Sequence, residues 1–446
     1  MAEIKEMRSF LISPSSSEES ESQGPPQPTR QTGQQASKAG TDHQSRPGRP
    51  TDFHPSSGTD TTRLALPLVG DRTASSATGS SIVGFRWNLI DKDTPKDAFR
   101  KSGLGRNNDE TWNLQWSDEF EVQGRSFYAN DDPFWEAVDL HAHGTGDYQW
   151  YDPSAVTTRD GALHITCNKQ DIHDLNYRSG QVTTWNKFCF TGGLLEAAVI
   201  MPDDPQVSGW WPAIWTMGNL GRANFGATTE GMWPYSYEAC DRGTLINQTD
   251  PDGLGPPAAL HSGAETGYNR IYSTTSVSWQ PGQRLSACTC DGDDHPGPKD
   301  RNGNYVGRSA PELDLFEGQV DGHLGGLLSL SGQFMPANSG YWLNNASGTE
   351  VEHFEVNDRK VELNSYRGNV YQQSVSSIAR ANQQSYEKTG NVYSKWAFEY
   401  EPGDNGYVTW WIDGVKAWTL HASAIGADPK VGISQRPIPP EPMVSG

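Results

Sequence analysis

The sequence has little positive charge. It carries 35 Lys and Arg residues against 55 Asp and Glu residues, which gives a formal net charge of −20 at pH 7 and a pI of about 4.9. Proteins that bind nucleic acid or anionic lipid neutralise phosphates with clustered basic side chains, and this composition offers no such excess. We therefore expect no nucleic-acid partner and a preference for neutral or cationic ligands.

The sequence also lacks a long apolar run and a recognisable N-terminal signal. No stretch approaches the ~18 apolar residues that a membrane span needs, and the longest candidate, 194–201, is short and contains Glu196. The N-terminus MAEIKEMRSF has no basic segment followed by an apolar core, so it predicts no signal peptide. Five cysteines in 446 residues are too few for a disulfide-dense scaffold.

The first 80 residues contain no Trp and no Tyr. They are rich in Ser, Thr, Pro, Gln and Gly, and they hold 8 basic and 9 acidic residues, so nearly all the net charge lies in 81–446. A segment of this composition buries too little apolar surface to offset its chain entropy. We predict a disordered low-complexity region over 1–80 and one folded domain over 81–446, which holds all 16 Trp residues.

The folded part has the pattern of an all-β domain. Short segments rich in Val, Ile, Trp, Tyr and Thr recur between turn signals, and helical periodicity is hard to find. WAFEYEP and GYVTWWIDG, separated by Gly403-Asp404-Asn405, predict a hairpin, and Ile412-Asp413-Gly414 predicts a second turn. No repeat of propeller or solenoid length is visible, which favours a β-sandwich or jelly roll.

The segment Glu312-Leu-Asp314-Leu-Phe-Glu317 carries the candidate chemistry. Alternate side chains of a strand share a face, so Glu312 and Asp314 point the same way. One extra residue at Leu315-Phe316, a β-bulge, returns Glu317 to that face, and bulges are enriched beside active sites. Two carboxyls that converge to about 5 to 5.5 Å make a retaining glycosidase pair, and crowding raises the pKa of at least one acid. The alternative is an acidic strand face in water.

A second segment, Trp210-Trp211-Pro-Ala-Ile-Trp215, contains three tryptophans. If the run is extended, Trp211 and Trp215 lie on one face. Aromatic rings offer flat apolar faces to the C–H side of sugars, and an acidic protein is compatible with a neutral polysaccharide. Burial in the core is the alternative for each tryptophan.

These two segments resemble the bulged acid signature of glycoside hydrolase family 16 and the strand beside it. Longer stretches are similar to the fungal branch of that family, the beta-glucan synthesis-associated proteins, and the similarity runs from about Leu89 to the C-terminus. They are WSDEF (116–120), DDPFWEAVDL (131–140), WNKFCFTGG (185–193), GNLGRANFGATTEGMWPYSYEACDRGTLINQT (218–249) and GQRLSACTCDGDDHPGP (282–298).

The resemblance implies a curved antiparallel β-jelly roll, a concanavalin-like sandwich whose concave sheet forms a glucan cleft. It implies that Glu312 is the nucleophile, Glu317 the acid/base, and Asp314 the residue that holds and tunes Glu312. Trp211 and Trp215 become candidate substrate-binding platforms. The branch is tied to cell-wall β-1,6-glucan assembly, so the secretory pathway or cell surface is implied. Its members are usually anchored by one span, which is not visible in this chain.

Three functions remain open at this level. The first is a retaining glycosidase or transglycosylase of wall β-glucan, the second a glucan-binding scaffold without turnover, and the third a secreted endo-β-glucanase. Three carboxyls kept on one face at a desolvation cost favour an enzyme over a binder. The match to the synthesis branch favours wall assembly over digestion.

No cofactor and no catalytic metal are expected, because His141 and His143 have no accompanying metal-ligand pattern. Asn247 and Asn345 begin sequons that accept N-glycans in the secretory pathway.

The segment 431–443 resembles the lead-in to strands that the family places near its chain end, so we also expect the domain to be truncated at its C-terminus, with unpaired strand edges.

Overall fold

The computed structural model describes residues 2–12, 88–142, 146–218, 311–321, 323–334, 343–345, 347–356, 360–367, 373–425 and 443–445. Within them the strands, in chain order, are β1 (Ala2–Ile12), β2 (Arg100–Leu104), β3 (Glu110–Asp118), β4 (Glu136–Ala137), β5 (Gln149–Tyr151), β6 (Val156–Arg159), β7 (Ala162–Ile165), β8 (Asn168–Ile172), β9 (Leu175–Ser179), β10 (Val182–Thr183), β11 (Gly193–Ile200), β12 (Ala213–Gly218), β13 (Glu312–Asp321), β14 (Gly325–Phe334), β15 (Val351–His353), β16 (Val361–Leu363), β17 (Gln373–Arg380), β18 (Ser394–Glu401), β19 (Tyr407–Ile412), β20 (Val415–His421) and β21 (Met443–Ser445).

Two antiparallel sheets make up most of this architecture. The larger has the order β15-β20-β19-β18-β11-β1-β3-β2, with β7 also pairing β1 and β6 pairing β7. The smaller has the order β16-β17-β14-β13-β12-β21. Short 3-10 turns at Lys96–Phe99, Pro153–Ala155 and Ala422–Ala424 are the helical elements of the described ranges. The predicted all-β jelly roll is confirmed.

The two sheets pack face to face around an aromatic core. Phe316 of β13 lies against Trp396 of β18 with ring centroids 5.5 Å apart, and both side chains are buried. Trp410 of β19 stacks on Trp418 of β20 at 4.3 Å. This packing follows from the alternation in strands such as β18, whose aromatic side chains face inward every second residue.

The predicted hairpin is confirmed by the pairing of β18 with β19, in which Trp396 lies opposite Ile412 and Glu401 opposite Tyr407. The second predicted turn joins β19 to β20. Asp413 and Gly414 both have positive φ there, at 50° and 79°, which is the backbone of a tight hairpin turn and explains an Asp-Gly pair.

The WSDEF and DDPFWEAVDL segments meet in a buried ionic network. The Arg125 guanidinium lies 2.7 Å from carboxylate oxygens of both Asp118 and Asp132, and the indole nitrogen of Trp135 donates to Asp118 at 3.0 Å. All four side chains are buried. The two segments are therefore joined to each other at the end of β3.

The prediction that residues 1–80 are disordered is wrong for Ala2–Ile12. Ala2–Ile12 forms β1, which pairs with β11 on one side and with β3 and β7 on the other. Ile4 and Met7 join the core, and buried Arg8 binds the Glu119 carboxylate at 3.2 Å. The remainder of 1–80 lies outside the described residues, so the predicted domain boundary stays a prediction.

The helical elements of the described ranges are single 3-10 turns of three or four residues, and none of them could span a bilayer. Residues 426–442, which include much of the segment behind the truncation prediction, lie outside the described ranges.

Candidate active site

The acid segment lies in β13, an inner strand of the smaller sheet. The ladder with β14 pairs Asp314 with Ser331 and Glu317 with Ser329, so three steps along β13 match two along β14. The ladder with β12 shifts register at the same place. The predicted β-bulge between Asp314 and Glu317 is confirmed, and it restores Glu317 to the face of Asp314.

The bulge also explains which side chains are buried. Leu313, Leu315 and Phe316 are buried in the core between the sheets. Glu312 and Glu317 are half-buried. Because directly opposed residues of an antiparallel ladder share a face, Trp215, opposite Asp314, lies on the acid face of the sheet.

Asp314 is the most enclosed of the three acids, with no exposed surface. Its Oδ2 accepts hydrogen bonds from the Ser331 hydroxyl at 2.5 Å and from the Gln333 side-chain amide at 3.0 Å. Burial and the nearby Glu317 charge raise the pKa of Asp314, and its interactions with Ser331, Gln333 and Glu312 offset part of that rise. Asp314 thus holds a proton more tightly than an ordinary aspartate does.

Glu317 lies next to Trp211. The indole nitrogen of Trp211 donates to Glu317 Oε1 at 3.1 Å, and the Ser331 hydroxyl lies 3.2 Å from Glu317 Oε2. Burial raises the pKa of Glu317, while these two hydrogen bonds lower it. A carboxyl with a raised pKa that remains within reach of the surface has the property that a general acid needs.

The two predicted tryptophan platforms are placed differently. Trp211 precedes β12 and is 60% exposed, with its indole directed to Glu317. Trp215 lies within β12 and is half-buried. The structure brings both to the three acids, and their role in sugar binding stays a prediction.

The glycosylation candidates separate. Asn345 is exposed and accepts a backbone hydrogen bond from Gly348, which places its sequon in a surface turn. Asn247 lies in 219–310, outside the described residues.

The sequence analysis did not single out three residues that hold the acids in place. Ser331 and Gln333 contact Asp314 from β14, and the Trp410 indole nitrogen of the opposite sheet donates to the Asp314 backbone carbonyl at 2.6 Å. A bulge takes backbone groups out of the regular ladder, and this bond gives one such carbonyl a partner inside the core. The alternation of Ser331 and Gln333 in LLSLSGQF was the available sequence signal for the first two; no local signal marked Trp410.

Comparison with known proteins decides the family. The model for the beta-glucan synthesis-associated protein SKN1/KRE6/Sbg1 matches residues 68–445. The chain belongs to this family. Within the family, the chain is 40% identical to the beta-glucan synthesis-associated protein KRE6 of Saccharomyces cerevisiae over 362 residues, which are 80% of this chain and 45% of that protein. The resemblance to the fungal branch of glycoside hydrolase family 16 is confirmed.

Weaker similarities are to bacterial proteins named as beta-glycanases and glucanases. The endo-1,3-1,4-beta-glycanase ExsH of Rhizobium meliloti is 26% identical over 171 residues, 33% of this chain and 34% of that protein. The chain also aligns with the solved structure of an endo-1,3-beta-glucanase catalytic domain from Thermotoga petrophila. The alignment covers 74% of this chain and 83% of that one, at 15% identity and a TM-score of 0.37. The chain spans about half the length of the yeast relative that it matches.

Proposed function

We propose that this SKN1/KRE6/Sbg1 family chain is a retaining glycosidase or transglycosylase of β-glucan, acting in the biosynthesis and remodelling of fungal wall β-1,6-glucan. The observation that carries the proposal is the bulge in β13, which puts Glu317 on the face of Asp314 although the sequence spacing is odd. A strand that served packing alone gains nothing from three carboxyls on one face, because their desolvation costs stability.

The proposed reaction has two displacement steps. In the first, a Glu312 carboxylate oxygen attacks the anomeric carbon while the bond to the leaving sugar breaks and Glu317 gives its proton to the departing oxygen. In the second, an acceptor hydroxyl attacks the same carbon, passes its proton to the Glu317 carboxylate, and frees Glu312. Two inversions at one carbon retain its configuration.

The environment of each acid supports these assignments. Burial raises the pKa of Glu317, which favours the protonated form that an acid catalyst needs. Asp314, with no exposed surface, is too enclosed to reach a sugar, and it lies close enough to Glu312 for the two side chains to influence each other's charge. Asp314 is therefore the holding and tuning residue.

The test is product analysis with defined β-1,3 and β-1,6 gluco-oligosaccharides. NMR of the first product formed should show the β configuration, before mutarotation obscures it. An α product contradicts the double displacement. Binding without any turnover favours the scaffold function instead.

Transfer to sugar is proposed over transfer to water, because a hydroxyl held in line gains an effective molarity that bulk water lacks. Trp211, exposed beside Glu317, is positioned to hold such an acceptor. Products longer than the substrate should accumulate at high oligosaccharide concentration. Hydrolysis products alone would favour the endo-glucanase function.

We also propose that the chain is exposed to the secretory pathway or cell surface. The exposed Asn345 sequon supports this, since N-glycans are added only on that route. Chain expressed in a fungal host should lose mass on endoglycosidase treatment, and Asn345→Gln should lose less. Equal shifts of wild type and Asn345→Gln would show that Asn345 carries no glycan.

A further inference from the structure

The Ser331 hydroxyl stands between two of the three acids. Its oxygen lies 2.5 Å from Asp314 Oδ2 and 3.2 Å from Glu317 Oε2, and the side chain is fully buried. A serine hydroxyl has one proton, so it donates to one of these carboxylates at a time.

Asp314 and Glu317 each accept one further hydrogen bond from a separate donor. The Gln333 amide donates to Asp314, and the Trp211 indole donates to Glu317. The Ser331 proton is therefore the variable part of the network, and turning the hydroxyl moves one hydrogen bond from one acid to the other.

We propose that Ser331 is a positioning residue that turns its hydroxyl between Asp314 and Glu317, and so adjusts how readily Glu317 gives up and regains its proton in the two steps. This inference rests on the proposed function. Ser331 keeps its own proton throughout; only the acceptor of its hydrogen bond changes.

The two positions match the two states of Glu317. While Glu317 is protonated it needs no donor at Oε2, and the Ser331 hydroxyl stays hydrogen-bonded to Asp314. Once Glu317 has lost its proton to the leaving sugar, its carboxylate takes the Ser331 hydrogen bond, which stabilises the charge until an acceptor hydroxyl returns a proton.

Few other charges act at this point. The titratable groups that face Glu317 in the described part of the sheet are Asp314 and Glu312 of its own strand. The flanking strands β12 and β14 present side chains that do not titrate in this range: Ala213, Trp215, Ser329 and Ser331.

Ser331→Ala tests the inference without requiring turnover. Removing a donor to the charged form raises a carboxyl pKa, so Glu317 should titrate about half to one pH unit higher than in the wild type. The probe is the indole 15N–1H NMR signal of Trp211, which donates to Glu317 and can be assigned by its loss in Trp211→Phe.

Ser329→Ala is the matched control. Ser329 lies on the same strand and face, opposite Glu317 in the ladder, and it is also buried. Its substitution should leave the Trp211 titration where it is. Ser331→Cys, which keeps the approximate shape with a weaker donor, should give an intermediate shift and covers the case in which Ser331→Ala folds poorly.

The alternative outcomes are distinct. If the Ser331→Ala midpoint coincides with that of Ser329→Ala in folded protein, the inference is overturned. If the midpoint rises but no wild-type turnover is found on any glucan, the Ser331 hydrogen bond to Glu317 is supported, while its role in the two reaction steps fails together with the proposed function. With turnover, the alkaline limb of kcat/KM should move upward with the NMR midpoint, because Glu317 must be protonated to act as the acid.

Discussion

Strands β13 and β1 are inner strands of the two different sheets, and they differ in what they contribute. β13 carries three acids on one face and core side chains on the other. β1 supplies Ile4 and Met7 to the core and an ion pair between Arg8 and Glu119. One strand accepts buried carboxyls with raised pKa values, which costs stability, whereas the other completes the larger sheet. β13 thus carries the proposed chemistry and β1 gives structural support, and each role can be tested.

The largest effect should follow from changing the acids of β13. Glu312→Gln and Glu317→Gln should each lower turnover by about 100-fold or more, since they remove the proposed nucleophile and the proposed proton donor. Thermal unfolding should be unchanged or slightly improved. Turnover on one glucan and thermal unfolding should be measured for both variants. A variant that loses stability but keeps its turnover would contradict the contrast with β1.

The two variants should also differ from each other. A substrate with a good leaving group needs no acid in the first step, so Glu317→Gln should accumulate glycosyl-enzyme on it and azide should restore product formation. Mass spectrometry of the intact protein detects the adduct. An adduct on Glu317→Gln and none on Glu312→Gln is the expected pair.

The converse effect should follow from changing β1. Arg8→Ala leaves the buried Glu119 carboxyl without its cation, which should lower the free energy of unfolding by about 3 kcal/mol. Turnover per folded molecule should not change. Lys5→Ala is the matched control: Lys5 lies on the same strand with an exposed side chain whose ammonium is 5.5 Å from the Tyr393 ring, so the change should cost less than about 1 kcal/mol.

The acid segment could be predicted from the sequence and β1 could not, for a physical reason. Alternation and an odd spacing of carboxyls predict a bulge locally, and the β12–β13–β14 ladders contain it. β1 has charged residues at four of its eleven positions and stands beside a Ser- and Pro-rich segment, so its own composition does not indicate a strand. Its order comes from three partner strands more than 90 residues away in sequence, which local patterning cannot detect.

Local sequence patterning could not detect the contact of Trp410 either. Its indole bond to Asp314 crosses from one sheet to the other over 96 residues of sequence. Trp410 and Trp418 are both strand tryptophans of the core, so composition treats them alike, and only the packing of the two sheets shows which one holds the bulge.

These two tryptophans provide the next test. Trp410→Phe leaves the buried Asp314 carbonyl without its indole donor and should cost about 1 to 3 kcal/mol in unfolding free energy, with a fall in turnover as the bulge relaxes. Trp418→Phe is the control, since its indole nitrogen is buried without a hydrogen-bond partner. It should lose less stability and little activity. Equal losses would mean that ring volume, rather than the hydrogen bond, sets the effect.

The smallest expected effect is a gain in stability from Asp314→Asn. Because burial and Glu317 raise the pKa of Asp314 in the folded state, the folded protein binds more protons than the unfolded chain between the two pKa values. The contribution of Asp314 to stability is therefore present below the ordinary aspartate pKa and is lost as pH rises through the folded value. Asparagine carries no charge and still accepts one hydrogen bond, so the variant should be more stable than wild type by about 1 kcal/mol at pH 7, with the difference vanishing near pH 4. Turnover should fall, because Glu312 loses the carboxyl that tunes it. Urea unfolding at the two pH values measures the effect, and a variant that is less stable than wild type at pH 7 would show that Asp314 supports the fold of β13 instead of burdening it.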